Sequence, residues 1–367
     1  MPSLWDPLSA DYEAKDCWIR LHMNAPHHRD AALAVLGVAA EKDGVAREVS
    51  RWAADNLETA VVSGGGCAAT MRSIAEWKVH PQGRAVAGEP LLHLSIGDTF
   101  SPRDWKMSPF KGVRVLDLTR VLAGPVATRF LAGLGAEVLR IDPPWWDEPV
   151  VVLEVALGKR CARIDLRQAS NRELLEHLLK GADVLIHGYR PDALARLGFD
   201  AEHRQELSPG LVDVTLDAYG WTGPWKGRRG FDSLVQMSSG IADAGMKETG
   251  KNRPTTLPVQ ALDHSVGYLM AAAAIRGLTN RLKTGAGCQA RTSLAQMAAM
   301  LICQPIGHAR KAVATEEPND LSENVEETAW GPVRRIKPPV VVDGAPLRWD
   351  LPASELGSAE ARWLNRG

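Results

Sequence analysis

Short apolar strand patterns alternate with helix patterns from residue 111 onward, and this alternation constrains the fold more than any other feature of the sequence. The predicted strands cover residues 113–118, 136–141, 182–186 and 211–216, with helices between them at 123–134, 171–180 and 193–197. Such alternation builds βαβ units, and therefore a mostly parallel sheet with flanking helices. A sheet of this kind binds ligands beyond the carboxyl ends of its strands. The sequence thus predicts an α/β fold with a Rossmann-like large domain.

The first 95 residues follow a different pattern, which predicts a small α+β domain. Residues 17–23 (CWIRLHM) have the composition of a strand. Residues 26–37 predict a helix that Pro26 opens and Gly37 ends. Apolar positions at helical spacing predict one longer helix at 44–63.

The remaining segments complete the predicted domain order. The stretch 96–110 contains two prolines and few positions suited to packing, which is typical of a linker. Two further helices are predicted at 264–279 and 292–303. We expect a small domain at 1–95, a linker at 96–110, a large domain at 111–305, and an extended segment at 306–367 that packs back on the large domain.

The overall balance of residues excludes several classes of protein. Lys plus Arg number 43 and Asp plus Glu 44, so no charge excess predicts nucleic acid or a membrane surface as a partner. No apolar run approaches the ~18 residues that a membrane span needs, and the N-terminus lacks an apolar signal core. Five scattered cysteines without a C-x-x-C pair indicate reduced thiols and a cytoplasmic protein. No His or Cys grouping has metal-ligand spacing, so no metal is predicted.

Asp263 stands where a loop turns into an apolar helix rich in small residues, in the stretch PVQALDHSVGYLMAAAA. One interpretation is a helix N-cap, which is the commonest role of Asp at such a place. The other is a nucleophile, because a carboxylate at a partly desolvated helix N-terminus is expected to stay ionised. Such a carboxylate can attack a thioester to form a covalent intermediate. The residues alone leave both interpretations open.

A glycine-dense loop, YGWTGP at 219–224, follows the strand predicted at 211–216 and leads into RRGFD at 228–232. Glycines at this density mark turns with unusual backbone angles. The loop is either a tight structural turn with a solvated arginine pair or part of a site that includes Asp232. Asp232 fits equally well as the N-cap of a helix that starts near Ser233.

Basic residues lie around the predicted strand ends: Arg120, Lys159, Arg160, Arg190 and Arg196. Each one alone fits a solvated surface charge. If several converge, they form a site for phosphates, since guanidinium and ammonium groups are charged donors. The sequence has no GxxxxGK[ST], no strand-linked GxGxxG and no GxSxG, so those routes to nucleotide binding or nucleophilic catalysis lack support.

Taken together, these segments resemble the family III CoA-transferases, which include formyl-CoA transferase and α-methylacyl-CoA racemase. The matching text is GVRVLDLTRVLAGPVATRFLAGLGAEVLRIDPP, GKRCARIDL, ADVLIHGYRPDALARLGF, YGWTGPWKGRRGFDSLVQMSSG, LPVQALDHSVGYLMAAAA and TGAGCQARTSLAQMAAML. The resemblance covers residues 112–303 almost without a gap. The tail GPVRRIKPPVVVDGAPLRWDLPASELG also resembles the C-terminal end of the family.

The resemblance implies an acyl-CoA:carboxylate CoA-transferase with Asp263 as its nucleophile. The carboxylate attacks an acyl-CoA thioester to give a mixed anhydride, and the released CoA thiolate then forms an aspartyl-CoA thioester. An acceptor carboxylate attacks next, and a second anhydride yields the new acyl-CoA. The expected partners are an acyl-CoA and a carboxylic acid, with the CoA thioester as substrate and no permanently bound cofactor.

The resemblance also implies which residues bind CoA and which carry out the reaction. Five residues of this chain lie at or beside positions that contact CoA in relatives: Val121, Lys159, Arg160, Arg196 and Arg229. Asp232 shares with Arg229 the loop that relatives place near the thioester, so it is predicted to be catalytic together with Asp263. Backbone amides of the glycine-rich segments are candidates for stabilising an oxyanion.

One departure from the family pattern concerns the choice between transfer and racemisation. The racemase branch carries a His immediately before the Asp of the loop that contains Gly230, and this chain has Phe231 there. A racemase needs a second group to shuttle the α-proton, which Phe cannot do. His264, beside Asp263, is a candidate substitute. The departure favours a transferase over a racemase.

A second departure concerns the order of the domains. Relatives place the small domain within the large one, whereas here residues 16–95 resemble it and the segment between Met300 and Gly331 is too short to hold it. The chain therefore resembles either a permuted relative or a piece cut from a longer two-copy ancestor. The glycine-rich loop that covers the aspartyl intermediate in formyl-CoA transferase has no visible counterpart, which bears on water exclusion. Family members form interlocked dimers, so a homodimer is expected.

Three hypotheses follow for the function. The first is CoA transfer between an acyl-CoA and a free acid. The second is racemisation or epimerisation of an acyl-CoA at its α-carbon, which predicts deuterium uptake from heavy water. The third is a non-catalytic CoA-binding subunit paired with a full-length relative, which predicts CoA binding without turnover.

Overall fold

The computed structural model describes residues 5–97, 110–190, 192–304 and 314–365. Most of the predicted linker at 96–110, and the first residues of the predicted segment 306–367, lie outside the described residues. The strands are β1 (Ala10–Glu13), β2 (Trp18–Leu21), β3 (Ala68–Thr70), β4 (His93–Ile96), β5 (Arg114–Leu118), β6 (Glu137–Asp142), β7 (Lys159–Arg163), β8 (Val184–His187), β9 (Val212–Asp217), β10 (Cys288–Ser293), β11 (Leu321–Thr328) and β12 (Gly331–Ile336).

Helices connect most of these strands. They are α1 (Pro26–Leu36), α2 (Lys42–Val49), α3 (Ala54–Ser63), α4 (Ile74–Val79), α5 (Pro81–Ala87), α6 (Ala123–Gly133), α7 (Val152–Val155), α8 (Ala169–Gly181), α9 (Ala201–Leu207), α10 (Asp232–Ser239), α11 (Ile241–Thr249), α12 (Ala261–Thr284) and α13 (Leu294–Cys303). Short 3-10 turns occur at Ala195–Leu197, Pro258–Gln260 and Pro318–Asp320. Among the described residues, the helices are too short or too polar to cross a bilayer.

The described chain forms two compact units, and each combines segments that are distant in sequence. The first unit comprises the described residues of Met1–Leu91, Asp217–Asp263 and Thr292–Cys303. The second comprises those of Leu92–Leu216, His264–Arg291 and Gln304–Gly367. Both units are discontinuous, whereas the predicted division at residues 95 and 110 follows the chain.

The first unit contains the antiparallel sheet β1-β2-β3. Tyr12 lies opposite Ile19 in one strand pair, and Ile19 lies opposite Thr70 in the other. Alternate residues of β2 point into a core in which Ile19, Leu21 and Leu57 are fully buried. The strand predicted at 17–23 is therefore present, and the helix predicted at 26–37 ends at Gly37 with a φ of 67°.

The single helix predicted at 44–63 is wrong, because two helices, α2 and α3, occupy this stretch. Between them the backbone is extended at Ala53, with φ −68° and ψ 134°. The Asp16 carboxylate accepts a hydrogen bond from the Ala54 amide at 2.8 Å and so satisfies a donor at the start of α3. The acceptor lies 38 residues away, so the helix-like spacing of apolar residues could not reveal the break.

The second unit is built on a seven-stranded sheet with the order β4-β10-β9-β8-β5-β6-β7 among the described strands. The pairs β5–β6, β6–β7, β5–β8 and β8–β9 are parallel, and β4 pairs with β10 in antiparallel register. The predicted fold class, a mostly parallel sheet with flanking helices, is confirmed, and the structure adds small antiparallel sheets. Strand order reverses at β5, so the loops after β5 and β8 border the topological switch point where such sheets bind ligands.

The C-terminal residues of the second unit include a two-stranded antiparallel hairpin, β11–β12. Farther along, the Trp349 indole donates to the Arg129 carbonyl at 2.9 Å, and the Trp363 indole donates to the Leu178 carbonyl at 2.9 Å. Gly133 and Gly158 accept the Trp349 ring, since a Cβ on either would meet it within 3.0 Å. The indoles thus anchor the tail on α6 and α8.

Candidate active site

The helix that carries Asp263 begins after a strained turn. Pro258–Gln260 is a 3-10 turn in which Val259 has φ 54° and Gln260 has φ 50°, both in the left-handed region that side chains disfavour. Helix α12 starts at Ala261, so Asp263 lies in its first turn. Its side chain is buried, with 8% of the residue exposed. Asp263 is therefore inside the helix, not at the capping position that one interpretation of the sequence gave it.

Asp232 supplies the cap instead, from 31 residues earlier in the same segment of the first unit. One carboxylate oxygen of Asp232 accepts from the Leu262 amide at 2.8 Å and from the Asp263 amide at 3.3 Å. The other accepts from the Gln236 carboxamide at 2.6 Å. Asp232 is the first residue of α10, whose N-cap is Phe231. It therefore satisfies the free amides of α12 and not those of its own helix.

Ionisation is costly for both of these buried carboxyl groups. Burial, and then the neighbouring Asp232 carboxylate, raise the pKa of Asp263 well above its ordinary value. Burial also raises the pKa of Asp232, and this shift is opposed by its hydrogen bonds from Gln236, Leu262 and Asp263. Desolvation thus opposes the ionisation that the helix N-terminus was expected to favour. The pair forms a buried acid centre in which ionised Asp263 would be a poorly solvated, reactive nucleophile.

Two imidazoles pack on the Phe side chain beside this pair. The His22 ring stacks on Phe231 with ring centroids 3.8 Å apart, and the His28 ring meets Phe231 edge-on at 5.9 Å. Burial lowers the pKa of His22 to about 3 and that of His28 to about 4, so both rings are neutral at neutral pH. Sequence reasoning missed these contacts, since nothing local to residues 22 or 28 points to residue 231.

The glycine-rich loop binds carboxylates of the protein itself. Asp217 accepts from the Tyr219 amide at 2.8 Å and the Gly220 amide at 3.2 Å. Glu89 accepts from the Trp221 amide at 2.9 Å and the Thr222 amide at 2.7 Å. These amides already have acceptors, so the suggested oxyanion role would require that the loop give them up.

Gly220 is required for this arrangement. Its φ is 105°, and a Cβ there would lie 3.0 Å from a Glu89 oxygen. The pKa of Asp217 is raised to about 7, chiefly by burial and also by the Glu89 charge, although its amide bonds oppose the shift.

The predicted arginine pair divides into two roles within the first unit. The Arg228 guanidinium donates to Glu58 at 2.7 Å and to the Ala68 carbonyl at 2.9 Å, and lies 4.0 Å from the centre of the Trp225 ring. It is buried, which differs from the solvated pair considered above. Arg229 donates to the Gly65 carbonyl at 2.9 Å.

In the second unit, Val121 lies in the loop after β5 with φ 66°, a strained conformation for a β-branched residue. Its amide donates to Glu148 at 2.5 Å. The same carboxylate accepts from the Trp146 indole at 2.9 Å and the Arg140 guanidinium at 2.7 Å. Val121 is thus held by an acidic side chain that sequence reasoning did not single out.

Arg120, next to Val121, lies between two aromatic rings. Its guanidinium carbon is 5.0 Å from the Trp146 ring centre and 5.4 Å from that of Tyr189, and it donates to the Tyr189 hydroxyl at 3.0 Å. Tyr189 follows β8, so this contact joins the two loops at the switch point. The contact places a cation at the carboxyl ends of β5 and β8, where sheets of this kind bind ligands.

The other basic residues predicted to bind CoA have separate partners. The buried Lys159 ammonium donates to Asp117 at 3.0 Å, to the Thr128 hydroxyl at 2.5 Å and to the Pro125 carbonyl at 3.0 Å. Burial lowers its pKa, and the Asp117 charge opposes this shift. Arg160 follows Lys159 in β7, and successive side chains of a strand point to opposite faces of the sheet. The Arg160 guanidinium donates to the Arg362 carbonyl at 2.5 Å.

Arg196 pairs with Asp192 at the surface. Within the described ranges, Lys159, Arg160 and Arg196 therefore share no hydrogen-bond or ion-pair partner. Among the described residues, no group of three or more His, Cys, Asp or Glu side chains is arranged to hold a metal ion.

Comparison with known proteins identifies a family for most of the chain. A family model described as CoA-transferase family III matches residues 110–335. An acyl-CoA transferase of Gibberella moniliformis is 28% identical over 316 residues, which cover 78% of this chain and 55% of the relative. A succinyl-CoA:glutarate CoA-transferase of Mus musculus is 32% identical over 194 residues, which cover 49% of this chain and 44% of the relative.

A solved structure gives a similar result. The crystal structure of a hypothetical protein from Mycobacterium tuberculosis has 29% sequence identity and a TM-score of 0.50, and the match covers 53% of this chain and 56% of that chain. The chain thus spans about half the length of the curated relatives it matches.

Proposed function

Because the chain belongs to CoA-transferase family III, we propose that it transfers coenzyme A from an acyl-CoA to a free carboxylic acid, with Asp263 as the nucleophile. The observation that carries the proposal is the buried Asp263 carboxyl in the first turn of α12, with Asp232 bonded to the amide of the same residue. A desolvated carboxylate is far more nucleophilic than one in water.

In the proposed reaction, an oxygen of ionised Asp263 attacks the thioester carbonyl and the carbon–sulfur bond breaks. The product is a mixed anhydride, and the electron pair leaves with the CoA thiolate. The thiolate attacks the aspartyl carbonyl, which releases the donor acid and forms an aspartyl-CoA thioester. The acceptor carboxylate then displaces the thiolate, and the thiolate attacks the acceptor's own acyl carbon. Asp263 is regenerated as a carboxylate, so no net proton is consumed.

Asp232 is proposed to take part by controlling Asp263. Its carboxylate orients the first turn of α12 and raises the pKa of Asp263, so the nucleophile is used only after its proton has left. The relative from Mus musculus acts on succinyl-CoA and glutarate by name. Dicarboxylic acids are therefore a sensible first class of acceptor.

The CoA contacts of the family remain proposals for Val121, Lys159, Arg160, Arg196 and Arg229. The strained backbone of Val121 supports its assignment, because such strain collects at ligand sites. The Lys159 ammonium would have to leave three buried partners to reach a phosphate. We therefore expect Lys159 to act by supporting the start of α6, whose Pro125 carbonyl it binds.

A homodimer in the cytoplasm is also proposed. The five cysteines are free, which suits a reducing compartment. Light scattering of the purified protein would give the oligomeric state.

The proposal is tested by incubating the protein with a panel of acyl-CoA esters that includes succinyl-CoA, followed by hydroxylamine. Intact mass and peptide mapping should find a hydroxamate on Asp263, and no such adduct in Asp263→Asn. Addition of glutarate should produce glutaryl-CoA and free succinate. If CoA binds and no panel member gives either an adduct or exchange, the chain is a CoA-binding subunit and the transferase proposal is wrong.

A further inference from the structure

Gln236 is a buried side chain of α10 that ties together both ends of the strained turn before Asp263. It is fully buried, with 0% exposed. Its carboxamide oxygen accepts from the Leu257 amide at 2.7 Å, and its nitrogen donates to Asp232 at 2.6 Å. An amide flip would oppose two donors and two acceptors, so this orientation is the one its partners require.

The turn between these bonds has an intrinsic tendency to relax. Val259 and Gln260 both have left-handed backbone angles, which non-glycine residues adopt only where surrounding contacts impose them. Packing does not supply the constraint at Val259, whose residue surface is 71% exposed. The Leu257 amide before the turn and the Leu262 and Asp263 amides after it are each bonded to Gln236 or Asp232.

Gln236 and Asp232 act as one element in this arrangement. They lie four residues apart on α10, so their side chains share one face of the helix. The carboxamide fixes one Asp232 oxygen, which leaves the other directed at the start of α12. Loss of the carboxamide would free the Leu257 end of the turn and let the Asp232 carboxylate rotate.

We infer that Gln236 is a positioning residue, which fixes the strained turn Pro258–Gln260 and, through Asp232, the location of the Asp263 carboxyl group. This inference rests on the proposed function where it concerns turnover, and on the bond network alone where it concerns the turn.

The test compares Gln236→Met, which keeps the chain length and removes both hydrogen bonds, with Gln296→Met as a matched control. Gln296 is a buried glutamine of the same unit that donates to the Val86 carbonyl and to Glu89. Hydrogen exchange should show roughly tenfold lower protection of the Leu257, Leu262 and Asp263 amides in Gln236→Met only. Unchanged protection of these amides would overturn the inference.

Kinetics provide the second readout. Gln236→Met should lower kcat by about 10- to 100-fold, with KM for the acyl-CoA within about twofold of wild type, because a misplaced nucleophile affects the chemical step. In an Asp232→Ala background, Gln236→Met should lower kcat by a much smaller factor, since Gln236 acts through Asp232. A kcat loss no larger than that of Gln296→Met, or full additivity with Asp232→Ala, would contradict the inference.

If Gln236→Met does not fold, Gln236→Glu replaces it. The new carboxyl group keeps an acceptor for Leu257 in both protonation states and loses its donor to Asp232 once it ionises. As the pH is raised, protection factors should therefore fall at Leu262 and Asp263 and persist at Leu257. Equal protection at all of these amides would count against the inference. If the wild-type protein transfers no CoA, the proposed function fails, whereas the exchange experiment still decides whether Gln236 holds the turn.

Discussion

The Asp232 carboxylate accepts a hydrogen bond from the backbone amide of Asp263 at 3.3 Å, so one buried acid caps the helix turn that carries the other. The hydrogen bond from this amide stabilises the charged form of Asp232, and the charge on Asp232 in turn disfavours the charged form of Asp263. The two groups therefore titrate as a coupled pair, with Asp263 as the member held protonated more strongly.

Asp263→Asn should reduce exchange by on the order of 10⁴-fold, as expected for loss of a covalent nucleophile. It should also stabilise the fold at neutral pH. The folded-state pKa of Asp263 is raised, so the stability tied to its proton is present at low pH and is lost as pH rises from about 4 through that pKa. The Asn side chain does not ionise, so the variant does not lose stability in this way.

Thermal melts of wild type and Asp263→Asn check this pH dependence of stability. The chosen test conditions are pH 4.5, near the ordinary pKa of a carboxyl group, and pH 7.5, well above it. The Tm advantage of Asp263→Asn should be larger at the higher pH. The same difference at both values would show that Asp263 ionises normally in the folded state.

Asp232→Asn should move the acidic limb of the kcat/KM profile to lower pH. The substitution removes the negative charge that raises the pKa of Asp263, and retains an oxygen that can accept from the α12 amides. Rates measured across the acidic range in wild type, Asp232→Asn and Asp232→Glu give the comparison. Asp232→Glu keeps the charge, so a shift in both variants would point to altered geometry and contradict the electrostatic explanation.

Val121→Gly should change the free energy of unfolding by no more than about 1 kcal/mol, because relief of the left-handed strain offsets the lost side chain and the added flexibility of the unfolded chain. Val126→Gly is the matched control, since Val126 is buried within α6 and has helical geometry. It should cost roughly 3 kcal/mol. Urea unfolding of both variants distinguishes the two positions, and equal losses would mean that Val121 is not strained.

Lys159→Met should destabilise the protein by about 3–5 kcal/mol, because it leaves the buried Asp117 without its counter-charge. Adding Asp117→Asn should recover part of the loss. Calorimetry with CoA then tells whether Lys159 supports the fold or contacts CoA. If it only supports the fold, the CoA affinity of the folded double variant should stay within about twofold of wild type. A much weaker affinity in the refolded double variant would instead assign Lys159 to the CoA site.

Asp217→Asn should flatten the pH dependence of stability between pH 5 and pH 8, values chosen on either side of the folded-state pKa of about 7. Stability tied to the Asp217 proton is complete below about pH 4 and is lost as pH rises through about 7. The Asn oxygen can still accept from the Tyr219 and Gly220 amides. Urea midpoints at the two pH values measure the slope, and a slope identical to that of wild type would refute the assignment.

The buried parallel strands were predictable because their signal is local. The runs at 113–118, 136–141, 182–186 and 211–216 correspond within two residues to β5, β6, β8 and β9. Each run contains several neighbouring apolar residues, so isolated charges such as Asp117 and Arg140 do not hide the strand pattern.

Strand β7 was missed for the opposite reason. Its sequence, KRCAR, carries three charges, and those at Lys159 and Arg160 are satisfied by Asp117 and by the Arg362 carbonyl. Neither partner is near in sequence, so local pattern gave no sign of a strand. Similarly, residues 292 and 293, predicted to begin a helix, end β10, and α13 starts at Leu294.

The residues of the candidate site likewise divide into those that the sequence could identify and those that depend on partners distant in sequence. Asp263 and Asp232 were singled out because they lie in long motifs shared with a family, and the structure brings them into contact. Gln236, Glu89 and Glu148 were not, because each acts on backbone elsewhere in the chain. Glu89, for example, binds an amide 132 residues away. Residue type and spacing cannot identify such partners before the fold is known.

The bond between Glu58 and Arg228 joins positions 170 residues apart. A ribosome adds about 5–20 residues per second, so Glu58 emerges roughly 10–30 s before Arg228. During that interval the acidic side chain has no Arg228 to neutralise it, and the segment that bears Asp232 and Asp263 has not yet been made. The amino-terminal part of the first unit therefore stays incomplete through that stage of translation, because the later segments of the same unit have still to be added.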